Sequence, residues 1–273
     1  AAGLGLAGCS GNKEPEPTGS GAGSAKASSK KAVELQVFAA NSLEKALPEV
    51  QELYTDQTGT TFADTQFKAS GDLVEQMRAG AAVDVLVTAS KGTMDDAETA
   101  ELVDADTRED MFVNDLVIIR AEGSDTKVEA IADVANLDGK IAIGDAKTVP
   151  AGKYANQALS SVGLYTGTEG DDGEYAPEIA DKVALADKVG TAASYVSTGD
   201  CVAGFVYSSD IFRYDGIEEA FVCPEDSHKP IVYPGAVAES SEHADEAKAF
   251  IDFCLTNKKA QKIWAKYGFE LSA

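Results

Sequence analysis

The chain has 273 residues, 44% of them apolar and 25% charged, the make-up of a folded globular protein able to bury one large core or two modest ones. Asp plus Glu number 46 against 23 Lys plus Arg, a net charge of −23 that argues against DNA, RNA or an anionic membrane surface as the main partner. Beyond residue 30 no apolar run approaches the ~20 residues of a membrane-spanning helix.

Residues 1–8 are small and apolar and lead into Cys9, then Ser10, Gly11 and Asn12. Leu6-Ala7-Gly8-Cys9 resembles the bacterial lipobox, where a signal peptide is cut before a cysteine that then carries lipid. Residues 1–8 are therefore read as a signal-peptide remnant and Cys9 as the lipidation site. Gly3-Leu4-Gly5-Leu6-Ala7-Gly8 also spells G-x-G-x-x-G, but no strand precedes it and no helix follows, so a dinucleotide loop is rejected. The stretch 9–31 is a flexible tether of Gly, Ser, Lys, Pro, Glu and Ala. This places the protein outside the cytoplasmic membrane, held there by its N-terminal lipid alone.

From Lys31 onward strands and helices alternate. Val33, Leu35 and Val37 have strand period, and the strand ends at Asn41-Ser42. Leu43, Leu47, Val50 and Tyr54 then fall at helical spacing up to Gly59, which puts Ser42 at a helix N-cap. A strand over 61–68, a helix with Leu73, Val74 and Met77, a strand over 84–88 and a polar helix over 91–100 follow. The apolar strand 112–120 contains a crossover at Asn114-Asp115 into a second lobe. That lobe holds strands at 140–144, 183–187, 202–207 and 217–222, a helix after Pro150, a helix from Val189, and an acidic Gly-rich loop over 165–175. Ile231-Val232-Tyr233-Pro234 reads as the return. Two amphipathic helices, one with Ala247, Phe250, Ile251 and Cys254 and one with Ala260, Ile263, Trp264 and Tyr267, close the chain at Gly268. The predicted fold is α/β with two lobes, 32–114 plus 234–273 and 115–233. Each lobe is expected to be a mainly parallel sheet flanked by helices.

Ligands of open parallel sheets bind outside the carboxyl ends of the strands, where helices begin. Ser42, Ser70, Ala151, Val189 and Tyr207 all occupy such corners, two in the first lobe and three in the second. Ser and Tyr hydroxyls and free helix N–H groups are all donors, so the set suits an oxyanion held between the lobes by neutral groups, without a Lys or Arg.

Several segments carry a more specific signal. Val37-Phe38-Ala39-Ala40-Asn41-Ser42-Leu43, Ala69-Ser70-Gly71, Pro150-Ala151-Gly152-Lys153-Tyr154-Ala155 after Gly144-Asp145, Val206-Tyr207-Ser208-Ser209-Asp210, Pro224-Glu225-Asp226-Ser227-His228-Lys229, Tyr233-Pro234 and Lys266-Tyr267-Gly268-Phe269 run in order along the chain. Together they resemble the molybdate-binding proteins of bacterial ABC importers. The resemblance implies a periplasmic-binding-protein-like fold of type II that closes on its ligand. It also implies binding of molybdate, and of tungstate through like shape and charge, by Ser42, Ser70, Ala151, Val189 and Tyr207 through the oxygens of the anion. The implied partner is an ABC permease. No cofactor and no enzymatic step are implied, and a monomer is expected. Asn41 stands where many relatives carry a small residue, and its amide is a candidate further donor. The loop 166–175 departs from the family pattern by its length. Sulfate is a smaller alternative ligand, expected to bind more weakly.

An enzyme is the rival class. The chain has two histidines, and neither G-x-S-x-G, H-E-x-x-H nor a Walker loop is present. Ser227 and His228 could in principle serve a hydrolase, but adjacent residues seldom face each other as a triad requires. Cys201, Cys223 and Cys254 form no C-x-x-C pair, which argues against a zinc site. A Cys201–Cys223 disulfide stays open at this level.

Overall fold

The computed structural model describes residues 32–272. Cys9, the signal-peptide remnant and the tether lie outside the described residues. In chain order the elements are β1 (Glu34–Leu35), β2 (Val37–Ala40), α1 (Ala46–Thr58), β3 (Thr61–Phe62), β4 (Gln66–Lys68), α2 (Ser70–Arg78), β5 (Val85–Val87), α3 (Lys91–Thr99) and β6 (Glu109–Asn114). There follow β7 (Leu116–Ala121), β8 (Ile141–Gly144), α4 (Pro150–Ser161), α5 (Pro177–Ala180), β9 (Val183–Ala186), α6 (Val189–Ser197), β10 (Ala203–Tyr207) and β11 (Ile217–Val222). The last are β12 (Ile231–Val237), α7 (Ala244–Thr256), α8 (Lys258–Lys266) and β13 (Glu270–Leu271).

Two sheets carry the two lobes. The first has the order β13-β6-β12-β5-β2-β4 and the second β11-β7-β10-β8-β9, with β1 and β3 pairing beside them. Instead of being mainly parallel, both sheets are mixed. In the first, β2 runs parallel to β4 and β5, while β12 and β6 run antiparallel to their neighbours. In the second, β8 runs parallel to β9 and β10, while β7 is antiparallel to β10 and β11. The reason lies in the crossings. A strand that enters a sheet from the other lobe needs no helical crossover and can pair antiparallel, whereas successive βα units within one lobe must run parallel.

The parallel triplets fix the site. Ala40 stands opposite Lys68 and Ala39 opposite Val87, so β2, β4 and β5 end at one edge. Gly144 stands opposite Ala186, so β8 and β9 also end together, and the chain leaving each of these strands emerges at a common edge of its sheet.

The return to the first sheet comes earlier than Tyr233-Pro234. β12 starts at Ile231, and Tyr233 pairs with Phe112 in the first sheet, with an irregularity between Tyr233 and Pro234. A proline removes a ladder donor, so it reads from sequence as the end of a strand. Here it sits at that irregularity within the strand.

The expected cap at Ser42 also shifts. Asn41–Leu43 form a 3-10 turn, and α1 begins at Ala46 after Lys45. Pro48 explains this: a helix already regular at Leu43 would need the missing Pro48 N–H to reach Glu44, whereas in the first turn no such bond is required. The α1 stripe of Leu47, Val50 and Tyr54 is buried as predicted, and Gly59 ends the helix at φ +77°. Tyr54 packs against Phe250 of α7 at 5.1 Å between ring centroids. Asn257 caps α8 by accepting from Lys259 and Ala260 N–H, and Trp264 Nε1 donates to the Cys254 carbonyl at 2.9 Å. Among the described residues Cys201, Cys223 and Cys254 are buried free thiols.

The acidic loop is pinned to α4. Tyr175 donates to Asn156 Oδ1 at 2.7 Å, and Asn156 Nδ2 donates to the Gly170 carbonyl at 2.8 Å. Gln157 Nε2 donates to the Glu169 carbonyl at 2.9 Å. Among the described residues no helix is long and apolar enough to cross a membrane.

Candidate functional site

Ser42, Ser70, Ala151, Val189 and Tyr207 line one small cavity of about 20 Å³ between the lobes, together with Asn41. All are nearly buried, from 1% to 6% exposed. Pockets for drug-sized molecules run to roughly 300–1,000 Å³, so this one is far too small for a metabolite.

Each donor is set by local structure. Ser70 opens α2, and its Oγ accepts the Ala89 N–H at 3.0 Å. With its oxygen so engaged, the Ser70 hydroxyl proton is free to donate elsewhere. Ser42 Oγ lies 2.8 Å from the Tyr233 hydroxyl, which also receives Asn114 Nδ2 at 3.4 Å. Pro150 opens α4 without an N–H, so Ala151 carries the first donor of that helix. Gly152 lets this helix start sit against the end of β8, since a Cβ there would lie 1.9 Å from the Gly144 carbonyl oxygen. Val189 opens α6, the first N–H groups of which have no intrahelical acceptor. Both helices direct a positive dipole end toward the site.

Tyr207 ends β10. Its hydroxyl is buried and, among the described residues, has no hydrogen-bond partner. Leaving such a group unpaired costs about 1–3 kcal/mol. Burial, with Tyr233, Tyr154 and Asp210 nearby, pushes its pKa well above the ordinary tyrosine value, so it remains a neutral donor.

The lobes touch around the cavity. Gly71 N–H donates to the Thr148 carbonyl at 3.2 Å, and a Cβ at Gly71 would lie 3.0 Å from Thr148 Cα. On the other side Arg213, from the turn after β10, donates to the Asn41 carbonyl.

Some of this could not be read in the sequence. Lys68 lines the cavity as well, so a lysine belongs to the lining. It is the last residue of β4, where it reads as an ordinary strand end. From sequence Tyr233 reads as part of a crossover, and only the pairing of β12 with β6 brings it to Ser42. Asn41 lines the cavity, yet its Nδ2 donates to Glu44 Oε2 at 3.2 Å.

Ser227 and His228 do not engage each other. Ser227 Oγ donates to the Pro224 carbonyl at 2.6 Å, and His228 Nδ1 bonds the Lys229 carbonyl at 2.7 Å. Among the described residues no cluster of three or more His, Cys, Asp or Glu side chains could hold a metal ion directly.

Comparison with known proteins shows the family. The profile described as bacterial extracellular solute-binding protein matches residues 35–270. The molybdate-binding protein ModA of Escherichia coli is 32% identical over 242 residues, 87% of this chain and 89% of its own. YvgL of Bacillus subtilis, provisionally named an ABC transporter substrate-binding lipoprotein, is 31% identical over 97% of this chain and 92% of its own. The solved periplasmic molybdate-binding protein of Azotobacter vinelandii superposes with a TM-score of 0.73 at 21% identity, covering 88% of this chain and 100% of that one. That likeness shows the shared two-lobed periplasmic-binding-protein-like fold of type II. The chain belongs to the bacterial extracellular solute-binding proteins, and molybdate-binding proteins are among its relatives.

Proposed function

We propose that this protein captures molybdate, and tungstate equally, between its lobes and delivers it to the permease of an ABC importer. The observation that carries this reading is the buried Tyr207 hydroxyl, without a partner among the described residues, at a cavity that Ser42, Ser70 and two helix starts also line. Such a set is unfavourable until an acceptor arrives, and a dianion with four oxygens can take every donor at once. Each hydrogen bond to a charged group is worth roughly 1.5–3 kcal/mol net, enough in sum to offset the entropy of binding. Lys68 adds attraction at close range, while the net negative surface is screened beyond about 8 Å at physiological salt.

The reading assigns Ser42, Ser70, Ala151, Val189 and Tyr207 as donors and leaves the Asn41 amide to its contact with Glu44. The lobes hinge where the chain crosses between sheets, at Asn114-Asp115 and over 223–230. Cys9 anchors the protein by lipid on the outer side of the cytoplasmic membrane, and the monomer works without a cofactor or bond chemistry.

Calorimetric titration with molybdate, tungstate and sulfate is the test. Molybdate and tungstate should bind with similar affinity. Sulfate should bind at least tenfold more weakly, because each donor its shorter reach leaves unmade costs about 1–3 kcal/mol. Absence of binding by all three would refute the oxyanion reading, and equal affinity for sulfate would refute the size argument.

A further inference from the structure

Behind the cavity wall lies a buried ion pair that lining the cavity does not explain. Asp210 is 0% and Arg213 8% exposed. Arg213 Nη2 and Nε donate to Asp210 Oδ1 at 2.8 and 3.1 Å. The other oxygen, Asp210 Oδ2, accepts the backbone N–H of Tyr207 at 2.9 Å. The remaining terminal nitrogen, Arg213 Nη1, crosses to the first lobe, where it donates to the Asn41 carbonyl and lies 3.1 Å from Glu44 Oε1. The guanidinium stacks on the Tyr214 ring at 4.2 Å, and the Tyr214 hydroxyl lies 3.4 Å from both Asn41 Oδ1 and Glu44 Oε1. Gly190 leaves room for this, since a Cβ there would meet the Tyr214 hydroxyl at 2.3 Å.

We propose that Arg213 is a positioning residue that latches the closed form, joining Tyr207 of the second lobe to the Asn41–Ser42 peptide of the first through Asp210. The inference rests on the oxyanion reading and deepens it. Two consequences follow from the chemistry. The Asn41 carbonyl and the Ser42 N–H belong to one peptide group, so a cation bonded to that oxygen makes the N–H a stronger donor toward the site. The bonds to Asn41 and Glu44 exist only while the lobes meet, so they slow opening without affecting the first encounter of ligand and protein. A fixed guanidinium fork can bond Asp210 and Asn41 together, which a single lysine ammonium at the same place cannot do in the same geometry.

The test is retention and chase of radiolabelled molybdate on the full chain, with association and dissociation rates measured separately, and thermal melting of the ligand-free protein alongside. Arg213→Lys keeps a charge beside Asp210 and gives up the span. It should release molybdate about tenfold to a hundredfold faster at an unchanged association rate, the range expected for a hydrogen bond to a charged group. Glu44→Ala lies in the first lobe, with a side chain 32% exposed, so it leaves the Asp210–Arg213 pair intact. It should release molybdate severalfold faster. Parental release from both variants overturns the latch, as does a slower association with parental release. Lower melting of Arg213→Lys with parental release assigns Arg213 to fold stability alone and also overturns it. A parent chain that retains no molybdate removes the oxyanion reading itself, whereas a retaining parent with unaltered variants removes only the latch.

Discussion

Tyr207→Phe separates the free from the bound protein by opposite signs. The substitution removes one oxygen and keeps the ring, which packs edge-on against Tyr233 at 5.7 Å and Tyr154 at 6.4 Å. In the closed, ligand-free form that oxygen is buried and, among the described residues, unpaired, so deleting it relieves a penalty of about 1–3 kcal/mol in that form. For a folded body of this size each kcal/mol moves the melting temperature by roughly 2–4 °C, so the free variant should melt higher by a few degrees. With an oxyanion bound, the same deletion removes a charge-assisted hydrogen bond worth roughly 1.5–3 kcal/mol. The relief of the free form adds to this loss, so at about 1.4 kcal/mol per decade affinity should fall roughly a hundredfold or more. Scanning calorimetry without ligand and titration calorimetry with molybdate read the two effects on one preparation. A variant that melts lower and binds as tightly as the parent would refute the reasoning, because the hydroxyl would then be satisfied within the protein.

Ser70→Ala should behave differently: it leaves the Ala89 N–H without its acceptor, so both ligand-free stability, by about 1–3 kcal/mol in denaturant titration, and molybdate affinity should fall. Gly152→Ala drives a methyl group into the Gly144 carbonyl, and should lower the unfolding midpoint by the equivalent of about 1–3 kcal/mol or more while weakening binding through displacement of Ala151. Burial raises the pKa values of Tyr207 and Tyr233, so neither hydroxyl ionises near neutrality. Molybdate affinity should accordingly be flat from about pH 6 to 9, all of it below the ordinary tyrosine value of ~10, and a binding step centred near pH 7 would point to a group outside this set.

The corners themselves were legible in sequence because they obey local rules. A buried strand must stop, a helix must start with free N–H groups, and Pro150 followed by Ala151 and Gly152 marks such a start. Residues chosen on those grounds, from Ser42 to Tyr207, line one cavity because parallel strands of a lobe share a carboxyl edge. The loop of Thr166 to Tyr175 was legible only as acidic and long. Its anchoring to Asn156 and Gln157 depends on a helix face that no local pattern specifies.

Sequence by itself determined the alternation of strands and helices, the amphipathic stripes and the chemical type of each corner, since these depend on neighbours a few positions away. Tertiary structure alone decided that Tyr233 meets Ser42, 191 positions earlier, and that Arg213 crosses to Asn41, 172 positions earlier. It also decided that the returning strands run antiparallel and that a lysine stands at the cavity. Contacts of that span arise from how two sheets face each other. A side chain at the end of a strand carries no local mark of what the opposite lobe will bring against it.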